Sequence, residues 1–76
     1  MGLFSKKNPQ ADAWAQRARE AAAQARESGR KADECRRRLA SGTSEDRHAD
    51  RYMLRQHEAD RRVHEANARD WWTMAR

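Results

Sequence analysis

The residues whose types and spacing most suggest chemistry are His57, Glu58, Asp60 and His64. The run His57-Glu58-Ala59-Asp60-Arg61 matches the opening of a zinc-protease helix, where histidines four residues apart grip the metal and the intervening glutamate is the general base. The second histidine would have to stand where Arg61 is, so the motif fails. His57, Asp60 and His64 do share a helical face, but the two histidines lie about 10 Å apart along a helix, too far to chelate one ion together. They read more simply as solvated or interface histidines, whose titration would make an assembly pH-sensitive. Neither a metal nor any other cofactor is expected.

Cys35 is the single cysteine. Arg36, Arg37 and Arg38 would activate its thiol if it were exposed, and His48 and Tyr52 are expected across the chain from it. Nothing in the sequence supplies the positioned base and cleft that a nucleophile needs, so Cys35 reads as a small buried apolar residue and the chain as non-enzymatic. One cysteine forms no internal disulfide, and the amino terminus lacks the apolar stretch of a signal peptide; a reducing cytoplasm is the expected setting.

Charge offers a third chemistry. The chain carries 17 Lys or Arg against 12 Asp or Glu, a net charge of +5, which suits nucleic acid, an anionic membrane or an acidic protein. Arg30, Lys31, Arg36, Arg37, Arg38, Arg47, Arg51 and Arg55 are the candidates for nucleic-acid contact. Asp33, Glu34, Glu45, Asp46 and Asp50 are interleaved with them, which favours pairing along a helix over a phosphate-binding stripe. A membrane role ranks below this: Leu3 and Phe4 with Lys6 and Lys7 make a weak anchor, no apolar run could span a bilayer, and Lys6 occupies the Ser/Thr position of a myristoylation signal.

The elements that must position these groups are helices. Asn8 can cap and Pro9 suits a first helical position, while Gly42 suits the left-handed residue after a helix end, with Thr43 or Ser44 capping the second helix. Thr43 with Asp46 resembles a capping box. The expected fold is all-α, an antiparallel two-helix hairpin: a flexible leader over 1–8, then a helical hairpin over 9–76, with helix 9–40, turn 41–43 and helix 44–75. A break at Ser28-Gly29, giving three helices, is the structural alternative.

Heptad spacing carries the reading. Ala11, Trp14, Ala18, Ala21, Ala25, Ser28, Ala32, Cys35 and Leu39 form an alanine-rich, coiled-coil-like seam on the first helix. Glu45, Ala49, Tyr52, Gln56, Ala59, Val63, Ala66, Asp70 and Thr73 form a matching row on the second. Folding about Gly42 sets Cys35 opposite Ala49, Ala32 opposite Tyr52 and Ala21 opposite Val63, with Ser28 and Gln56 as a register-fixing polar layer. Acids four residues before bases, as in Glu27-Lys31, Asp33-Arg37, Glu34-Arg38, Glu58-Arg62 and Glu65-Arg69, are expected to pair along each helix.

So much alanine leaves little area to bury, and a chain this short has a marginal core. Small residues beside the first seam, among them Ala15 and Ala22, and a stripe on the second helix from Met53 to Met74 remain to be covered. Leu3, Phe4, Trp14, Trp71 and Trp72 gather at the open end, where adjacent Trp71 and Trp72 point about 100° apart and cannot both face one neighbour. Trp14, Ala15, Ala22, Met53, Trp71, Trp72 and Met74 are therefore the candidate partner-binding residues. The expected function is that of a helical-hairpin interaction protein, packing against itself as a four-helix bundle or against another helical protein. The alternative is a nucleic-acid-binding accessory protein.

Overall fold

A helix can open on proline because its missing N–H would have no partner there, and Pro9 begins the first helix. The computed structural model describes residues 9–76 and contains two α-helices, α1 (Pro9–Ser41) and α2 (Arg47–Ala75). They lie antiparallel along their lengths in a hairpin of 63 × 15 × 12 Å. The expected leader and Asn8 cap, with Leu3, Phe4, Lys6 and Lys7, fall outside the described residues.

The chain between the helices is built by local hydrogen bonds. Gly42 takes φ +76°, the left-handed conformation that glycine adopts without a Cβ clash, and Thr43 N–H donates to the Arg38 carbonyl at 3.2 Å. That bond spans the end of α1 as in a Schellman motif and satisfies one of its orphan carbonyls. Arg47 Nη1 reaches back from the start of α2 to the Leu39 carbonyl at 3.1 Å and satisfies another. The cap of α2 is Asp46, whose Oδ1 accepts from Ala49 N–H at 3.0 Å, so α2 begins at Arg47 and not at Ser44. An ionised Asp at this position both accepts the bond and answers the positive end of the helix dipole, which a Thr43 or Ser44 hydroxyl does less well.

α1 is unbroken through Ser28-Gly29. Gly29 costs about 1 kcal/mol of helix propensity relative to alanine, and the structure shows what stands against it: a Cβ there would lie 3.3 Å from Cδ of Arg61, whose stem crosses α1 at this point. The α1 seam faces inward as its spacing predicts. Ala18, Ala21, Ala25, Ser28, Ala32 and Cys35 are its buried residues, with Trp14 and Leu39 half-buried toward the two ends.

The α2 seam does not. Ala49, Tyr52, Gln56, Ala59 and Val63 are exposed, Tyr52 and Val63 by 52% and 57%, whereas Asp50, Leu54, His57, Arg61, His64, Ala68 and Trp71 are buried or half-buried. The inward row is thus rotated by roughly 150° about the helix axis from the expected one. Ser28 is consequently not paired with Gln56, nor Cys35 with Ala49, nor Ala32 with Tyr52. The physical reason is complementarity of size. An α1 face of alanine, serine and cysteine leaves a shallow furrow, and the half-buried side chains of α2 are long or broad: Leu54, His57, Trp71 and Arg61, whose Nε is buried. The longer connection also slides α2 by about one turn, so that Arg38 meets Asp50 and Arg17 meets Trp71. No large side chain is fully buried among the described residues.

Candidate functional site

Because α2 turns its second apolar row outward, the surface of the hairpin is not the one the sequence suggests. Tyr52, Ala59 and Val63 lie in water along a single helical face, with Ala66 half-buried at its edge. Gln56 and Asp70 interrupt the row, and Ala49 and Thr73 extend it at either end.

The candidate partner residues are divided among several surfaces. Trp14 is half-buried between the helices. Trp71 is half-buried with the Arg17 guanidinium 5.4 Å from its ring centroid, and Trp72, 41% exposed, has that of Arg19 at 5.7 Å. Arg17 and Arg19 point about 200° apart on α1, so the two tryptophans hold α1 from opposite sides. Such contacts contribute about 0.5–1 kcal/mol each at exposed sites. They give both tryptophans a place within the hairpin, and explain how adjacent rings that cannot share a neighbour both find a cation. Ala22 lines a groove between the helices with Ala25, Gly29, Arg61 and Ala68, and Ala15 is half-buried nearer the open end. Met53 and Met74 are 40% and 50% exposed.

The basic candidates divide by their ion pairs. Arg30 is held by Glu27 and Glu34, Arg36 by Asp33 and by Glu58 across the hairpin, and Arg38 by both carboxylate oxygens of Asp50, at 3.0 and 3.2 Å. Arg47 caps α1. Lys31, Arg37, Arg51 and Arg55 form no ion pair among the described residues. The acid-to-base pairs expected four residues apart are not formed. Glu58 is drawn across to Arg36 and Glu65 lies 3.9 Å from Arg61, which leaves Arg62 and Arg69 with no ion pair among the described residues. A row of arginines, Arg55, Arg62 and Arg69, therefore runs unneutralised beside the exposed apolar row, each seven residues from the next. Sequence reasoning missed it because it assigned each acid to the base four residues after it, whereas Glu58 crosses to α1 and Glu65 pairs with the base four residues before it. The signal that could have found it is the geometry of arginine, whose fork can reach another helix or a preceding turn.

Two carboxylates held in ion pairs are shifted. The Arg38 guanidinium holds the Asp50 carboxyl below the usual carboxylate range, and Arg30 lowers Glu27 in the same way. Cys35 is 2% exposed, with Arg38 Nη2 at 3.4 Å from its sulfur. Among the described residues no three His, Cys, Asp or Glu side chains are grouped so as to hold a metal ion, His57, Asp60 and His64 included. No described helix is long and apolar enough to cross a membrane.

Comparison with known proteins gives no matching family model, no similar curated protein and no similar solved structure. The functional reading rests on the surfaces themselves.

Proposed function

We propose that this chain is a small non-enzymatic interaction protein that works by helix packing, with a second copy or with another helical protein. The observation that carries the reading is the exposed heptad-spaced row Tyr52, Ala59, Val63 on α2, left outward by a hairpin that uses a different face for its own core. A heptad row is what one helix needs to pack along another. Ala59 and Ala66 would let a neighbouring backbone approach closely, Tyr52 and Val63 would anchor it, and the flanking arginines would supply orientation and on-rate. With no large side chain fully buried among the described residues, the hairpin also gains more than most from added apolar contact.

A second reading is favoured by the same unneutralised cations: Arg51, Arg55, Arg62 and Arg69 lie on one side of α2 and could track a phosphate backbone without reading sequence. Salt and one substitution separate the two. Helix packing predicts association, measured by sedimentation equilibrium alone and with candidate helical partners, that survives from 50 to 200 mM salt and is lost on Val63→Glu. If the only binding found is to a 20-base-pair duplex, falls steeply over that salt range and is untouched by Val63→Glu, the packing reading is wrong.

A further inference from the structure

The proposed packing face carries enough charge information to choose its occupant, and this inference rests on that reading. We infer that the outward face of α2 takes an acidic amphipathic helix of another protein, and not a second copy of this chain.

Self-pairing has two symmetric forms, and each meets like charges. In an antiparallel pair the flank bearing Arg55, Arg62 and Arg69 lies against itself, so that Arg62 opposes the second copy's Arg62 and Arg55 its Arg69. Sliding the register by a heptad does not help, because arginine recurs at the same interval as the row. In a parallel pair each residue of the row meets its own counterpart, and Asp70 is pressed against Asp70 with Gln56 against Gln56. Like charges juxtaposed at an interface suppress the wrong partner, and complementary ones orient the right one.

A different helix removes both conflicts. Carboxylates along its flank would answer Arg55, Arg62 and Arg69, none of which forms an ion pair among the described residues, Glu58 and Glu65 being turned to Arg36 and Arg61. Large aliphatic side chains would fill the space over Ala59 and Ala66, and a cation or polar group would meet Asp70. From Tyr52 to Thr73 the face is roughly 30 Å long, enough for three heptads.

The test uses the full chain and two dye-labelled peptides of about four heptads, long enough to hold a helix on the face. Both carry leucine at the packing positions except for one glutamine placed to meet Asp70; one has glutamate along both flanks and the other lysine. Fluorescence anisotropy at 150 mM salt should show the glutamate peptide binding at least tenfold more tightly than the lysine peptide. Val63→Glu should weaken it at least tenfold. Arg62→Glu with Arg69→Glu should reverse the preference between peptides, while Arg37→Glu, which removes an unpaired cation from α1, should not. Circular dichroism of each variant checks that the hairpin is intact. Equal binding of the two peptides, no binding of either, a preference that fails to reverse, or one that Arg37→Glu reverses as readily overturns the inference. If neither peptide binds but the chain sediments as a dimer that Val63→Glu dissociates, the acidic-helix inference fails while helix packing stands. If neither binds and a DNA duplex does, through the same arginines, both fail.

Discussion

Two glycine-to-alanine substitutions should move the stability of this hairpin in opposite directions. Gly29 sits in mid-helix, where alanine is favoured by about 1 kcal/mol. Against that gain stands the 3.3 Å contact its Cβ would make with Arg61 Cδ, a few tenths of an ångström tighter than ordinary van der Waals contact. Arg61 can yield, because its side chain is 42% exposed and its ionic partner Glu65 is a distant 3.9 Å away. Gly29→Ala should therefore stabilise the hairpin by about 0.5–1 kcal/mol, which for a chain of this size raises Tm by roughly 2–8 °C. Gly42 has open space around its Cβ position, and its φ of +76° is the whole difficulty. Gly42→Ala should cost about 1–2 kcal/mol through the left-handed backbone alone. Thermal unfolding monitored at 222 nm, at several protein concentrations, measures both. A fall in Tm for Gly29→Ala would mean that Arg61 is held rigidly over α1. Equal effects of the two substitutions would refute the assignment of close approach to one glycine and backbone conformation to the other.

The polar contacts have consequences of their own. Asp50 has a folded pKa lowered by Arg38, so its contribution to stability is present above the ordinary aspartate range near pH ~4 and is lost as pH falls through the folded value. Arg38→Gln should accordingly flatten the acid limb of a Tm-against-pH curve between pH 2 and 5, leaving the part due to Glu27 and Arg30; an unchanged limb would deny the pair any energetic role. Ser28 is 9% exposed on the inner face with no Gln56 opposite it, so Ser28→Ala should stabilise by about 0.5 kcal/mol in denaturant titration, through helix propensity. A loss of similar size would restore Ser28 as a register-fixing group.

How much of this was legible in the sequence depends on which helix is considered. The α1 seam could be read directly, because its inward residues are small, apolar and set at strict heptad spacing from Ala18 to Cys35. The same rule applied to α2 chose the row of Tyr52, Ala59 and Val63, since it contains the more regular apolar pattern, while the row that is used contains Arg61, His57 and His64. Hydrophobic patterning scores a side chain by its polar tip; packing against alanine depends on the length of its stem. The turn was placed correctly at Gly42 but made too short, because two hydroxyl residues precede Asp46 and each is a plausible cap. The arginine row beside Val63 depends on Glu58 crossing the hairpin to Arg36, which could not be seen until the register between helices was known, and on Glu65 turning back to Arg61 instead of forward to Arg69.

Everything proposed about partners depends on α2 presenting that row to solvent. Thiol reactivity tests it most directly: in a Cys35→Ala background, single cysteines introduced as Val63→Cys and Ala68→Cys are labelled with a maleimide under native conditions. Val63 is 57% exposed and Ala68 is 8% exposed, so the thiol at 63 should react at close to its rate in denaturant and the one at 68 at least tenfold more slowly. At a protein concentration where the chain sediments as a monomer, comparable protection at both positions, or protection at 63 with free reaction at 68, would mean that the Tyr52–Val63 row is the hairpin's own core, and the docking face would not exist.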